Sequence, residues 1–374
     1  MVEWKKLGDV CEVLRGKRLT KAQLNEGKGY PVLHGGSTPM GYFEEYNRKA
    51  NTTVVVNTGN AGSVFFYDKE FWSSDACFSL YPNNDILDKF LYLYVYGCER
   101  ILKGKIRAGA MPTIDAKAVE DLIIPIPSIS EQNRVVGILD TFTSSIENIK
   151  QQIAERRKQF NWFLDKFYYA TKADLLEASK DGKVKVKTLD EIGTFTRGRR
   201  FVRTDIVPEG VPCIHYGDMY TYYGVWADET PTHLTKGRAE KLRFATKGDV
   251  VIVAAGENDL DIGVGVAWLG EEDVVIHDAC FIFKHNMNPK YLSYFMRSMN
   301  YHLQIRMGVV DGKICSISAK ELGRTLVAVP SLEEQSRIVS ILDTFEASIS
   351  NLEAQLKERE KQYEYYRNKL LTFE

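Results

Sequence analysis

Nothing in this chain approaches the roughly 20 consecutive apolar residues that a membrane-spanning helix needs, and its start, MVEWKKLGDV, has no signal-peptide core. Cysteine is scarce: six in 374 residues, none in a Cys-x-x-Cys pair. A disulfide framework and a zinc site of that spacing are therefore not expected, and the chain reads as cytoplasmic and reduced. Signatures of catalysis are missing too. There is no Gly-x-x-x-x-Gly-Lys-Ser/Thr phosphate loop and no Asn-Pro-Pro-Tyr or Asp-Pro-Pro-Tyr tetrad of an adenine methyltransferase. No Gly-x-Gly-x-x-Gly opens a helix after a strand; Gly263-Val264-Gly265 reads as a strand turn. The six histidines show no ligand spacing, and Asp259 with Asp261 reads as a solvated loop, so no metal is expected. An excess of one charge is absent as well. The net charge is −1, with 16 basic and 15 acidic side chains in residues 1–127, 19 and 18 in 183–329, and 6 and 9 in 330–374. Affinity for a polyanion has to come from local clusters or from partners.

What the sequence does have is a long internal repeat. PSISEQNRVVGILDTF at 127–142 matches PSLEEQSRIVSILDTF at 330–345 in 11 of 16 positions, an offset of 203. The same offset aligns Asp75-Ala76-Cys77-Phe78 with Asp278-Ala279-Cys280-Phe281. Near the start the offset is 182, pairing Leu7, Arg15, Gly16 and Arg18 with Leu189, Arg197, Gly198 and Arg200. The second half thus carries 21 extra residues, spread between 201 and 265. A unit this long is a duplicated domain, since solenoid repeats run to about 20–50 residues. Each half reads as α+β with many short strands. Val54–Val56 and Val250–Val253 are buried-strand candidates, each before a Gly-containing loop, and short helices are expected near 88–103 and 289–306.

Each half then ends in a long amphipathic helix. A proline precedes Ser128 and Ser331, and Glu131 and Glu334 follow three residues on, the spacing of a capping box. Apolar residues recur at steps of three and four. In the first helix they include Val135, Leu139, Phe142, Ile146, Ile149, Ile153 and Phe160; in the second, Ile338, Leu342, Phe345, Ile349, Leu352, Leu356 and Tyr363. Arg156 and Arg359, equivalent in the repeat, interrupt the stripe. A seam sustained over more than four heptads predicts a coiled coil; a helix packed along its own domain is the competing reading. About 40 residues make roughly 60 Å of helix, more than one small domain covers. The order of elements then predicts an antiparallel pair joining two heads. The expected boundaries are 1–127 (head one), 128–171 (first helix), 172–185 (linker), 186–330 (head two) and 331–374 (second helix). Val136, Ile138, Val339 and Ile341 lie off the seam and are expected to dock each helix on its own head. Trp162, Tyr168, Tyr169 and Tyr365, also off the seam, suit either a partner-binding face or packing on a head.

With these features the chain resembles the specificity subunit of type I restriction-modification systems over essentially its whole length. The resemblance rests on the duplicated Pro-Ser-x-x-Glu-Gln before each long helix, the paired heads, and the Gly loop followed by Asp-Ala-Cys-Phe. It implies two tandem pseudosymmetric target-recognition domains, each reading one half of a bipartite, asymmetric site in double-stranded DNA. It further implies that the helices form a spacer on which two methyltransferase subunits dock, with motor and nuclease subunits as further partners. The chain itself would then be no enzyme, and S-adenosylmethionine, ATP and Mg would belong to those partners. A stand-alone methyltransferase or nuclease, and a coiled-coil adaptor, are the alternatives.

The duplication also sorts the candidate DNA contacts. Basic residues present in both heads cannot easily encode two different half-sites, so they suit phosphates, whereas divergent loop residues suit base edges. Arg15, Lys17 and Arg18 with Arg197, Arg199 and Arg200 are the phosphate candidates, each cluster built around a glycine that permits close backbone approach; a solvated basic turn is the plainer reading. Lys105 and Arg107, with Arg306 and Lys313, are further candidates. Base readout is assigned to His34, Ser37, Asn57 and Asn60 in head one, and to Tyr216, Asp218, Arg238, Glu257 and Asn258 in head two.

Overall fold

The computed structural model describes residues 2–36, 38–107, 109 and 111–373. The chain divides into two compact units, residues 1–150 with 354–374, and residues 151–353. Each unit therefore joins one head to part of both long helices, where the sequence suggested heads and helices as separate segments.

In the first unit, the run Thr52–Val56 (TTVVV) is buried at every position and lies inside a four-stranded antiparallel sheet. The order is Cys11–Arg15, Cys77–Pro82, Thr52–Val56, Val64–Tyr67. The β-branched residues cover both faces, which is why the alternation expected of a half-exposed strand is missing. A smaller sheet joins Gly41–Phe43, Tyr30–Leu33 and Trp72–Ser73. Helices Asp88–Gly97 and Glu99–Lys103 fill the expected 88–103 window. In the second unit the corresponding sheet runs Gly193–Arg197, Cys280–His285, Val250–Val253, Gly265–Trp268. A fifth strand, Trp226–Ala227, pairs parallel to Gly265–Trp268 and comes from the residues extra to this half. Helices Pro289–Phe295 and Met299–Ile305 match the second window. The presumed linker is structured: Thr171 caps a helix at Lys172–Lys180, with Asp174 N–H donating to the Thr171 Oγ1 at 3.2 Å, and Leu175 and Ala178 are buried. Two buried apolar side chains one turn apart anchor a segment whose remaining residues are mostly polar.

The long helices are Ile129–Tyr168 and Leu332–Leu370. Neither is long and apolar enough to cross a membrane, nor is any other helix among the described residues. Their N-termini use half of a capping box. The Ser128 and Ser331 Oγ atoms accept from Glu131 N–H (3.3 Å) and Glu334 N–H (3.2 Å). The glutamates do not turn back to the cap. Glu131 takes both guanidinium donors of Arg134 at 2.8 and 2.6 Å, and Glu334 those of Arg337 at 2.7 and 2.6 Å. A bidentate charge-assisted pair outcompetes a single bond to a backbone amide.

The helix pairing is antiparallel within each unit. In the first, Phe142 stacks on Tyr366 (5.3 Å) and Lys150 meets Glu360 at 3.1 Å. In the second, Phe163 packs on Phe345 (5.0 Å) and Arg157 bonds Glu353 at 2.5 Å. Arg156 and Arg359 do not break the seam: each lies over a ring of the facing helix, Phe345 and Phe142, at 5.7 Å. Ile149 and Ile153 are buried in the seam, and Ile146, Ile349, Leu352 and Leu356 are half-buried there. Its ends turn inward to the heads. Leu139 and Tyr363 pack in the core of head one, Leu342 and Phe160 in that of head two. Val136 docks on head one and Val339 on head two as expected. The off-seam aromatics divide: Tyr168 is buried, its hydroxyl donating to Tyr291 O at 2.8 Å, whereas Trp162 and Tyr365 are exposed. The C-terminal Leu370, Leu371 and Phe373 pack on head one, Phe373 at 6.1 Å from Phe90.

Burial gives the second unit a pH dependence. His285 is pushed down to about 4, first by desolvation, against 6.5 when unfolded. Met287 N–H donates to its Nδ1 at 3.2 Å, so the proton sits on Nε2, which is buried without an acceptor. Above pH 6.5 the ring is neutral in both states and contributes no pH dependence. Below it the unfolded chain takes up the proton first, and stability falls until about pH 4. The expected loss across that window is about 3 kcal/mol at most, to which His215 and His277, also lowered by burial, add in the same direction. Urea denaturation at pH 7.5 and 4.5 should show it, and His285→Gln should flatten the difference.

Candidate nucleic-acid interface

The basic turn shared by the two halves is held in the same backbone frame in both. In head one Arg15 closes its strand opposite Phe78; Gly16 N–H donates to Cys77 O (3.1 Å) and Lys17 N–H to Ser73 O (2.9 Å). In head two Arg197 lies opposite Phe281; Gly198 N–H donates to Cys280 O (2.9 Å) and Arg199 N–H to Ile276 O (3.0 Å). The Nε of each arginine then donates to the same aligned carbonyl, Arg15 to Asp75 O at 2.9 Å and Arg197 to Asp278 O at 2.8 Å. A second arginine buttresses each turn: Arg48 donates to Arg15 O at 2.9 Å, and Arg243 to Arg197 O. Sequence reasoning missed these two, because 48 and 243 fall at neither repeat offset.

The glycines serve a different purpose from the one expected. A Cβ on Gly16 would lie 2.1 Å from Ser74 O and 2.2 Å from Ser73 O, and one on Gly198 2.2 Å from His277 O and 2.4 Å from Ile276 O. The close backbone approach is to the chain's own loop, and it presses the turn against the Asp-Ala-Cys-Phe strand. Arg15, Lys17, Arg18, Arg197, Arg199 and Arg200 are all exposed around it. Arg199 spends one donor on Lys241 O at 2.9 Å.

Beside each turn sits a histidine. The His34 ring lies 2.9 Å from the Ser74 hydroxyl. The His215 ring lies 4.8 Å from that of His277, which stands at the position equivalent to Ser74, and Tyr216 flanks His277 at 5.5 Å. Ala279 N–H donates to His277 Nδ1 at 3.1 Å, leaving Nε2–H to donate to Phe201 O at 3.0 Å. Since burial favours the neutral ring, the 3.2 Å approach of Asp278 to Nδ1 is no ion pair at neutral pH.

Three assignments to base readout are corrected. Asn57 is only 3% exposed and donates its amide to Asp75 O at 3.1 Å, so it braces the carbonyl that orients Arg15. The Asp218 carboxylate accepts from His215 N–H and Thr232 Oγ1, both at 3.1 Å, and ties two strands together. Arg238 bonds Asp205 at 3.1 Å and Arg200 O at 2.8 Å, holding the basic turn from behind. Ser37 lies outside the described residues. His34, Asn60, Glu257 and Asn258 are exposed, Asn258 using its Oδ1 to accept from Leu260 N–H at 3.2 Å. A cavity of about 250 Å³ in head two gathers Arg197, Tyr216, Glu257, His277, Asp278 and Ile314.

The outer cations sit on loops that are also equivalent. Arg107 bridges to Thr113 as Val310 does to Ser316, and these loops pair with Thr58 and Ala255 beside the Gly loops. Arg107 is tied to Asp115; Lys105, Arg306 and Lys313 are exposed, with no ion pair among the described residues. Among those residues no cluster of three or more His, Cys, Asp or Glu could hold a metal ion.

The model of the type I restriction modification DNA specificity domain matches residues 1–156 and 181–361. The specificity subunit of a type I restriction enzyme of Escherichia coli is 26% identical, covering 100% of this chain and 94% of that protein. One from Methanocaldococcus jannaschii is 23% identical over 98% of this chain and 91% of its own. The crystal structure of a type I restriction-modification S subunit from M. genitalium shares the fold, at 19% identity, with a TM-score of 0.66 over 100% of this chain and 97% of that one. With the match falling once on each half of the duplication, the chain belongs to the type I restriction-modification DNA specificity family.

Proposed function

We propose that this chain is the non-catalytic DNA-reading subunit of a type I restriction-modification complex, each head reading one half of a bipartite, asymmetric site. The observation that carries the reading is the basic turn. Its frame is the same in both heads, down to the Arg15 and Arg197 bonds to equivalent carbonyls, while the residues around it differ. A shared cationic frame suits phosphates and divergent surroundings suit different bases. The long helices scaffold two methyltransferase subunits and, where present, motor and nuclease subunits. S-adenosylmethionine, ATP and Mg act on those partners, and the complex works on DNA in the cytoplasm. Family membership lends no support to a stand-alone enzyme or a DNA-free adaptor.

Near-neutral heads imply weak binding by the chain alone and specific binding once methyltransferase subunits are added. Footprinting with the reconstituted complex tests this; protection of no sequence, or methylation by the purified chain alone, would refute it. Lys17→Ala should lower affinity for all sequences alike and reduce the log–log salt slope by about 0.9. A change confined to one base position would contradict its assignment to phosphate.

A further inference from the structure

The loops that hold Met111 and Ile314 carry large apolar side chains in full view of solvent. Met111 is 68% exposed and Ile314 62%, and the two are equivalent at the offset of 203. Head two adds Met307, Val310 and, from the adjacent loop, Leu260, all exposed. Exposed cations without ion pairs among the described residues share these loops: Lys105, six residues before Met111 in head one, and Arg306 and Lys313 directly before Met307 and Ile314 in head two. Ile314 also lines the cavity that contains Arg197. Exposed apolar groups clustered at a loop tip mark an interaction site. A tip that is apolar at its point and cationic at its flanks suits a partner with an anionic surface and an apolar interior, as a base-paired duplex has.

The repeat sharpens the role. The heads differ in the residues that could read bases, yet both present a bulky apolar side chain at this one loop position. A group shared between heads that read different half-sites is not suited to telling one base from another. It is suited to something each half-site requires regardless of sequence. Methionine and isoleucine belong to the set of side chains that enter the minor groove and part a base step, with neighbouring cations on the phosphates.

We propose that Met111 and Ile314 are a matched pair of wedges, each inserted from the minor groove into one half-site to unstack a single base step. This rests on the DNA-reading function proposed above. The test uses the full chain reconstituted with its methyltransferase subunits, on the duplex identified by methylation-sensitive sequencing, with 2-aminopurine substituted at successive positions. The wild-type complex should give a fluorescence rise at one step in each half-site, away from the methylated adenines. Met111→Ala should abolish the rise in one half-site only and Ile314→Ala in the other, each weakening binding about tenfold, the loss of one buried apolar side chain. Met111→Leu and Ile314→Met should keep both. Because the side chains are exposed, thermal unfolding should not change. A wild-type complex that protects its site but shows no such rise, or a rise that survives both alanine variants, overturns the wedge alone. Alanine variants that no longer co-elute with the methyltransferase subunits make the tips a protein contact and overturn it too. A wild-type complex that protects no sequence overturns the DNA-reading function and the wedge together.

Discussion

Gly16→Ala is expected to destabilise the first unit by about 3 kcal/mol or more and to abolish protection of one half-site, and Gly198→Ala to do the same for the second unit and the other half-site. A methyl group at either position meets carbonyl oxygens 2.1–2.4 Å away, well inside contact distance. Those oxygens belong to backbone that also pairs with the turn, so neither side can yield without breaking the hydrogen bonds that aim Arg15 or Arg197. Gly137→Ala is the control: it is exposed in the first long helix, with nothing within 4 Å of the added methyl. There the change should stabilise by about 0.5–1 kcal/mol, the ordinary helical preference for alanine. Urea titrations and footprints of the three variants make the comparison. Unaltered stability in Gly16→Ala would show that the turn is less tightly held than its geometry indicates.

Gln132→Ala should cost about 3 kcal/mol, and Gln335→Ala about 2 kcal/mol, more than most single polar substitutions. Gln132 is fully buried at the start of the first long helix. Its Oε1 accepts from Leu87 N–H at 2.8 Å, and its Nε2 donates to Asp85 O at 2.7 Å and Pro127 O at 2.9 Å. Gln335, 2% exposed, accepts from Asn288 N–H and donates to Pro330 O, both at 2.9 Å. Each amide clamps a head to its helix, and alanine leaves the backbone partners buried and unpaired. Gln132→Glu should be as harmful, since a carboxylate cannot donate to Asp85 O and Pro127 O. Denaturation that leaves Gln132→Ala within 0.5 kcal/mol of wild type would mean that water replaces the amide.

These glutamines show how far a one-dimensional reading reaches. The Pro-Ser-x-x-Glu-Gln motif was visible as a helix start, and the serine does cap. The motif's glutamate serves Arg134 or Arg337 instead, and its glutamine carries the tertiary clamp. The glutamate's partner lies at ordinary helical spacing, three residues on, whereas the glutamine's partners in the head, 45–47 residues away, leave no mark in the sequence. Likewise Arg156 and Arg359 interrupt the apolar stripe when only the sequence is read. Their solution, a ring on the opposite helix, exists only once the helices are paired antiparallel. Asn57, Asp218 and Arg238 have the chemistry to read bases, but Asn57 is buried with its amide donating to Asp75 O, Asp218 accepts from His215 N–H and Thr232 Oγ1, and Arg238 donates to Asp205 and Arg200 O.

By itself the sequence determined the duplication, the two long helices and their antiparallel order, and the basic turn common to both halves. These follow from local capping, from periodicity and from internal repetition, which are properties of position along a chain. Only the tertiary structure decided which polar side chains are free. A hydrogen bond between residues far apart in sequence leaves no trace in either segment, so Asn57 and Asn60 look alike until one is buried and the other is not. It also decided why Gly16 and Gly198 are glycines: the atoms they avoid belong to a strand connection some sixty to eighty residues away.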